Sequence, residues 1–256
     1  DALCRVVLGG QRIPIAEGCD RILSSDTFAV RSNPPGFNSA VDGYGFAGPI
    51  LEGIQIMDLA AGRAAAGVPF DGVVQKGQAI RILTGAILPE GVDTIVLEED
   101  CTRESYRIAF NGPLKQWSNT RAAGEDIVEG MPICRRGRRL SATDLSFIAS
   151  AGVSHVEVFS RLKVGVISTG DEIREPGQSA LEWQNYDANR LMLLAMIRDL
   201  GFEAMDLGLV EDNRNTVRQH LNNGAKECDL IITSGGASSG DEDHISAILK
   251  AEGKLT

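Results

Sequence analysis

The last hundred residues of the chain alternate between short apolar runs and apolar positions at helical spacing. The run at 230–232 is too short for a helix and rich in β-branched side chains, so it predicts a buried strand, and further strands are predicted at 164–167 and near 204–210. Residues 189–200 predict a strongly apolar helix, and Asp212 is placed to cap a second one. Strands that alternate with helices at crossover length predict a doubly wound parallel α/β domain.

The first half of the chain has a different pattern, in which short β-like runs are separated by glycine-rich turns. Runs at 80–82 and 94–97 predict strands within a compact, mostly β module between about 47 and 110. After this module, Ser141 followed three residues later by Asp144 resembles a capping box and predicts the start of a helix. The chain therefore combines a β part with an α/β part.

Composition narrows the class of protein further. A chain of 256 residues is long enough for about two domains, and its net charge of −10 comes without a basic cluster that could follow a phosphate backbone. The five cysteines form no C-x-x-C pair, which favours reduced thiols in a cytoplasmic protein over a zinc site. No apolar run approaches the ~20 residues of a membrane span. We expect a cytoplasmic protein that binds neither nucleic acid nor membrane.

The stretch 229–243 carries the clearest candidate chemistry. A predicted strand breaks into Ser234-Gly235-Gly236, and a helix follows after the acidic residues that end the stretch. This arrangement places backbone N–H groups and a helix N-terminus at the carboxyl edge of the sheet, where anionic groups bind. A tight turn between strand and helix is the alternative interpretation of the same residues.

Four carboxylates are expected at this edge: Asp171, Glu172, Asp187 and Asp241. Carboxylates beside a phosphate repel it unless a hard cation lies between them, and Mg²⁺ satisfies both groups. The alternative is that Asp187 or Asn189 only caps a helix and that Asp171 is only a turn residue.

Six motifs occur in the order found in the molybdopterin molybdotransferases, and the chain resembles this family (the MoeA proteins and the E domain of gephyrin and its plant homologues) over nearly its whole length. The motifs are SAVDGYG (39–45), GQAIRILTGAILPEGVDTIVLEED (77–100), AGEDIVEG (123–130), VISTGDEI (166–173), YDANR (186–190) and DLIITSGGASSGDED (229–243).

The resemblance implies a Mg²⁺-dependent enzyme of molybdenum cofactor biosynthesis. Members insert molybdate into adenylylated molybdopterin (molybdopterin-AMP), release AMP, and work as homodimers. Carried over by motif, the catalytic residues are Asp42, Thr84, Asp171 and Asp187, of which Asp171 and Asp187 bind the metal. The residues expected to bind the cofactor are Glu125, Thr169, Gly170, Asn189, Ser234, Gly235, Gly236, Ser238 and Asp241.

The resemblance also implies an interrupted domain organisation. Residues 1–32 and 120–159 would form an elongated linker domain, and the glycine-rich, mostly β domain at 33–119 would be inserted in it. Residues 160–256 would be the doubly wound parallel α/β domain that binds molybdopterin.

Three departures from the family pattern define an alternative function. Val41 and Gly45 replace the usual Met and Ala, Ser246 stands where a lysine is common, and the chain stops at Thr256 where relatives continue into a small β domain. A catalytically impaired molybdopterin-binding or scaffold protein is therefore the second hypothesis. Asp42, Thr84, Asp171 and Asp187 argue for the enzyme.

Overall fold

The computed structural model of the protein describes residues 9–235 and 244–252. Its strands are, in chain order, β1 (Gly10–Pro14), β2 (Thr27–Phe28), β3 (Asn38–Ser39), β4 (Gly43–Phe46), β5 (Ile50–Ala64), β6 (Gln78–Ile82), β7 (Thr94–Leu97), β8 (Cys101–Glu104), β9 (Arg107–Leu114), β10 (Thr120–Arg121), β11 (Pro132–Cys134), β12 (His155–Phe159), β13 (Lys163–Thr169), β14 (Ile173–Arg174), β15 (Asn185–Tyr186), β16 (Glu203–Val210) and β17 (Leu230–Ser234). The helices are α1 (Ala142–Ser150), α2 (Ala188–Asp199), α3 (Arg214–Glu227) and α4 (His244–Glu252).

These elements form two compact units. One unit holds residues 12–158, and the other holds the described residues among 1–11 and 159–256. The finer division of the first unit into a linker domain and an inserted domain stays a prediction. None of the helices in the described ranges is long and apolar enough to cross a membrane.

The second unit is the predicted parallel α/β fold. Its central sheet has the order β16–β13–β17, and both pairs of neighbours run parallel. Val164 and Val166 of β13 pack with Leu194 of α2, whereas Ile167 packs with Val217 of α3 and with residues of α4. Because side chains alternate along a strand, these two clusters lie on opposite faces of the sheet, with helices on both. The prediction of a doubly wound sheet is confirmed.

The cap of α3 differs from the sequence-based expectation. Asn213, and not Asp212, is the N-cap, and its Oδ1 accepts hydrogen bonds from the backbone N–H groups of Asn215 at 3.0 Å and Thr216 at 3.4 Å. The prediction for Asp212 was wrong because two capping residue types stand side by side and the helix begins one residue later. The Asp212 carboxylate therefore does not cap α3.

The unit of residues 12–158 contains a six-stranded sheet with the order β7–β4–β6–β5–β9–β8. Its neighbours are antiparallel except for β5 and β6, which run parallel. Phe46 and Phe110 stack in its core with ring centroids 5.3 Å apart. A separate apolar cluster, which includes Leu23, Leu140 and Val158, lies among the flanking segments. The expected mostly β part of the fold is confirmed.

Helix α1 begins with the predicted capping box. Ser141 Oγ accepts from the backbone N–H of Asp144 at 3.3 Å, and Asp144 Oδ2 accepts from the backbone N–H of Ser141 at 2.9 Å. Arg138 Nη2 lies 2.7 Å from Asp144 Oδ1. Hydrogen bonds from Arg138 and then from the Ser141 backbone lower the pKa of Asp144 to about 2.

This lowered pKa predicts an acid-dependent loss of stability. The ordinary pKa is 3.8 and the folded value is about 2, so ionised Asp144 stabilises the fold fully above about pH 4 and loses this effect as pH falls toward 2. In urea unfolding, Asp144→Asn should be less stable than the wild type at pH 7 and equally stable near pH 2. Glu157→Gln, at an exposed carboxylate of the same unit, is the control. A stability difference for Asp144→Asn that does not change with pH would contradict the prediction.

Candidate functional site

A cavity of about 310 Å³ lies at the carboxyl edge of the β16–β13–β17 sheet. It is formed where β13 and β17 end and α2 begins, which is the usual ligand position in an open parallel sheet. Of the residues predicted from sequence, five line it: Thr169, Asp187, Asn189, Ser234 and Gly235. Gly236, Ser238 and Asp241 lie outside the described residues. Glu172, one of the four carboxylates expected at this edge, also lines the cavity, and the remaining lining residues are Ser168, Ile173, Asn185, Tyr186 and Ala188.

The turn after β17 brings two strand ends unusually close. Gly235 has φ +94°, and a Cβ at this position would lie 2.3 Å from the carbonyl oxygen of Thr169. Only glycine fits such a backbone approach without displacing the end of β13. Thr169 is itself buried, and its Oγ1 has no hydrogen-bond partner among the described residues. A buried hydroxyl without a partner at a cavity wall is available to a polar ligand.

Gly170 extends this close packing to the loop after β13. Its φ is +144°, and a Cβ there would lie 2.6 Å from the carboxylate of Glu172. Glu172 lines the cavity, so the glycine makes room for a carboxylate at the cavity wall. The predicted cofactor-binding residue Gly170 thus lies at this edge and supports its shape.

Asp187 is buried and is the N-cap of α2. Its Oδ1 accepts from the backbone N–H of Arg190 at 3.1 Å, and its Oδ2 accepts from Arg190 Nε at 2.9 Å. Burial alone would raise the pKa of Asp187, but the hydrogen bonds from Arg190 outweigh it and hold the pKa below the usual value. Asp187 therefore caps α2, as the alternative interpretation expected. The assignment of Asp187 as a catalytic and metal-binding residue stays a prediction.

Asp171 lies in the exposed loop that follows β13. Its Oδ1 accepts a hydrogen bond from the backbone N–H of Asp212 at 3.1 Å. The Oδ1 of Asp212 is buried and has no hydrogen-bond partner in the described parts of the chain. The two acidic residues are 41 positions apart and meet because β13 and β16 are parallel neighbours. No group of three or more His, Cys, Asp or Glu side chains suited to a metal occurs within residues 9–235 and 244–252.

Asp42 and Thr84 come together in the unit of residues 12–158. Asp42 Oδ1 accepts from both the backbone N–H and the hydroxyl of Thr84, each at 2.7 Å. These two hydrogen bonds hold the pKa of Asp42 below its usual value, and the bond from the backbone has the larger effect. Asp42 also lines a cavity of about 310 Å³ with Glu98 and Glu99. Asp42 and Thr84 thus form one exposed, hydrogen-bonded pair of a carboxylate and a hydroxyl.

Glu125 is held by its own neighbours in the same unit. Its Oε1 lies 3.0 Å from Arg121 Nε, and its Oε2 accepts from the backbone N–H of Ala122 at 3.0 Å. These contacts make it part of an exposed turn. Its role in cofactor binding, like the contribution of Asp42 and Thr84 to a shared cleft, stays a prediction.

Comparisons with known proteins agree with this architecture. Residues 2–152 match the family model described as MoeA N-terminal region (domain I and II), and residues 165–256 match the probable molybdopterin binding domain. The chain is similar to the molybdopterin molybdenumtransferase of Haemophilus influenzae, with 35% identity over 94% of this chain and 60% of the relative. A Mycobacterium tuberculosis protein, molybdopterin molybdenumtransferase 2, is 31% identical over 89% of this chain and 57% of its own length.

A solved structure shows the same fold. The molybdopterin biosynthesis MoeA protein from Pyrococcus horikosii matches with a TM-score of 0.82 and 28% identity, covering 95% of this chain and 62% of that one. The fold and the site thus define a protein with a MoeA N-terminal region and a molybdopterin-binding type of α/β domain. The chain belongs to the MoeA family, and it spans about three fifths of the length of the curated relatives it matches.

Proposed function

We propose that this chain takes part in molybdenum cofactor biosynthesis as a molybdopterin molybdotransferase. It would bind adenylylated molybdopterin at the carboxyl edge of the α/β sheet and insert molybdate with release of AMP. The observation that carries the proposal is the cavity bounded by Thr169, Gly235 and the start of α2. It offers an unpaired hydroxyl, close backbone and a helix N-terminus, which together suit a phosphate group.

Two acidic residues beside this cavity are candidates to hold Mg²⁺. Asp171 and Asp212 share the edge, and the buried Oδ1 of Asp212 has no partner among the described residues, so it could serve as a ligand together with phosphate oxygens. When bound, Mg²⁺ would neutralise phosphate charge and polarise the phosphoanhydride. Asp171 is the metal-binding residue for which this geometry offers support, and Asp212 is an additional candidate that the sequence analysis treated as a cap.

Asp42 and Thr84 would contribute an ionised carboxylate and a hydroxyl to the reaction. Asp42→Asn keeps an oxygen that can accept from the backbone N–H of Thr84 but removes the charge, so we expect a loss of AMP release of about 100-fold with unchanged folding. Asp93→Asn is the matched control, because Asp93 Oδ1 likewise accepts from a backbone N–H and a threonine hydroxyl, each at 2.7 Å. Equal activity of Asp42→Asn and the wild type would remove Asp42 from the catalytic set.

The proposal includes a homodimer, in which each cleft would draw on residues of both chains. This expectation is what the resemblance to the family implies. Light scattering of the full-length protein at micromolar concentration tests it directly. A stable monomer under these conditions would contradict it.

The assay that tests the proposed function uses the full-length protein with adenylylated molybdopterin, Mg²⁺ and molybdate. We expect AMP release that requires molybdate and stops when Mg²⁺ is chelated. The second candidate, an impaired molybdopterin-binding or scaffold protein, is favoured by Ser246, which stands in the first turn of α4 where the family commonly has a lysine. Binding of molybdopterin without any AMP release would select this second candidate.

A further inference from the structure

The buried side chain of Arg190 has no assigned role, although it is surrounded by acidic groups. Only 5% of this side chain is exposed. Its guanidinium reaches three carboxylates: Nε lies 2.9 Å from Asp187 Oδ2, Nη1 lies 2.5 Å from Asp206 Oδ1, and Nη2 contacts Glu175 Oε1. A planar guanidinium is suited to such a junction because its donors point in fixed, different directions.

Each of the three carboxylates belongs to a different element. Asp187 is the N-cap of α2, Asp206 lies within β16, and Glu175 directly follows β14. Arg190 therefore connects the helix start, the central sheet and the loop after β14. The backbone of β16 is adapted to this contact, since Gly208 has φ +86° and its N–H donates to Asp206 Oδ1 at 2.9 Å.

Of the four residues in these connections, only Asp187 lines the cavity. The cavity is lined by Ile173, Asn185 and Tyr186 of the paired strands β14 and β15, and by Asp187. Arg190 is not among the lining residues. It can therefore act on a ligand only through the groups that it holds.

The charge of Asp187 gives this arrangement a consequence for binding. Asp187 is 4% exposed and lies at the cavity wall, at the N-terminus of α2. A buried carboxylate at this place would repel an anionic ligand and cancel the attraction of the helix N-terminus. Arg190 Nε donates to Asp187 Oδ2 and so offsets this charge while the carboxylate continues to cap the helix, and the other two partners of the guanidinium, Asp206 and Glu175, do not line the cavity.

We propose that Arg190 is a positioning residue that makes the cavity accept an anion, by compensating Asp187 and by holding the loop after β14 through Glu175. The inference rests on the proposed function for the identity of the ligand, a molybdopterin phosphate. It concerns this chain's own residues, so a simpler anion also tests it.

The experiment measures the affinity of the full-length protein for molybdopterin and, separately, for inorganic pyrophosphate. Four variants are compared with the wild type: Arg190→Met, Arg190→Lys, Asp187→Asn and the double variant Asp187→Asn/Arg190→Met. We expect Arg190→Met to weaken both affinities by about 10-fold or more, because it leaves an uncompensated buried carboxylate. Arg190→Lys should weaken them less, since it keeps the charge.

The double variant separates charge compensation from general damage. Asn at position 187 can still accept a hydrogen bond from the backbone N–H of residue 190. The helix therefore keeps its cap although both charges are removed. We expect its affinities to return to within about 3-fold of Asp187→Asn alone. Arg218→Met, at an exposed arginine whose Nε lies 2.7 Å from Glu252 Oε1, should leave both affinities unchanged.

Hydrogen exchange of residues 173–186 provides a readout that needs no ligand. Exchange should rise in Arg190→Met and in the double variant, and stay at the wild-type level in Arg218→Met. Unchanged affinity and exchange in Arg190→Met would overturn the inference, and so would a double variant as weak as Arg190→Met. If the wild type binds pyrophosphate but not molybdopterin, the proposed function is rejected. The pyrophosphate affinities of the four variants then decide the inference. Binding of neither anion would overturn both.

Discussion

Asp171→Asn in the full-length protein is expected to abolish AMP release while leaving the fold and molybdopterin binding intact. Asn can still accept the hydrogen bond from the backbone N–H of Asp212, which lies 3.1 Å from Asp171 Oδ1, so the loop keeps its contact. The negative charge that would hold Mg²⁺ is lost, and we expect AMP release to fall by about 100-fold or more at saturating Mg²⁺. Single-turnover AMP assays and equilibrium molybdopterin binding measure the two effects separately.

The same sheet offers a matched control at its opposite edge. Asp229 directly precedes β17, and its Oδ2 accepts from the backbone N–H of Lys163 at 2.8 Å. Asp229→Asn therefore makes the same chemical change in a similar hydrogen bond, away from the cavity. We expect this variant to retain AMP release. Wild-type AMP release by Asp171→Asn would show that Asp171 is only a turn residue, which is the alternative left open by the sequence.

Gly235→Ala is expected to destabilise the protein and to abolish binding at the cavity. The new Cβ would lie 2.3 Å from the carbonyl oxygen of Thr169, a backbone atom that cannot move unless the end of β13 moves. The backbone also has φ +94°, which alanine adopts only with strain. Strain and overpacking together predict a loss of about 2–5 kcal/mol in the free energy of unfolding.

Gly177→Ala separates these two causes. Gly177 has φ +92°, nearly that of Gly235, but a Cβ there would meet nothing within 4 Å. This control should lose only about 1–2 kcal/mol and keep its molybdopterin affinity. Urea unfolding and molybdopterin binding of the two variants measure the difference. Equal losses in both variants would show that the contact between Gly235 and Thr169 does not shape the cavity.

The two predictions act on different parts of one edge. Asp171 is exposed and would act through its charge, so its replacement should affect chemistry more than folding. Gly235 acts through the space it leaves, so its replacement affects folding and binding together. Measuring activity, binding and stability for both variants therefore distinguishes a role in catalysis from a role in cavity shape.

Local patterns in the sequence were sufficient for the elements of the α/β unit. The apolar runs that predicted strands correspond to β13, β16 and β17, and their alternation with helices predicted that the sheet is parallel. The capping box at Ser141 was also visible, because both of its partners lie within four consecutive residues. Such features depend on neighbours in the chain and on side-chain periodicity, which the sequence contains directly.

The motifs likewise placed Thr169, Asn189, Ser234 and Gly235 at one site, and the cavity joins these residues. Parallel strands made this possible, because the residues that follow them reach the same edge. The motifs also predicted catalytic roles for Asp42 and Thr84. Only the structure shows that the two residues are hydrogen-bonded, because they are 42 positions apart in the chain.

What the sequence by itself determined is therefore the family, the order of the elements and the edge of the sheet where the cavity lies. The tertiary structure decided which acidic groups are paired. The backbone N–H of Asp212 donates to Asp171, 41 residues away in the chain. Arg190 donates to Glu175 and Asp206, which are 15 and 16 residues away. Asp206, which stands between the apolar residues Met205 and Leu207 of β16, was a sequence signal for the last contact, and no local pattern names its partner. Charge pairing in a buried site depends on distance and burial, and both arise only when separate elements pack together.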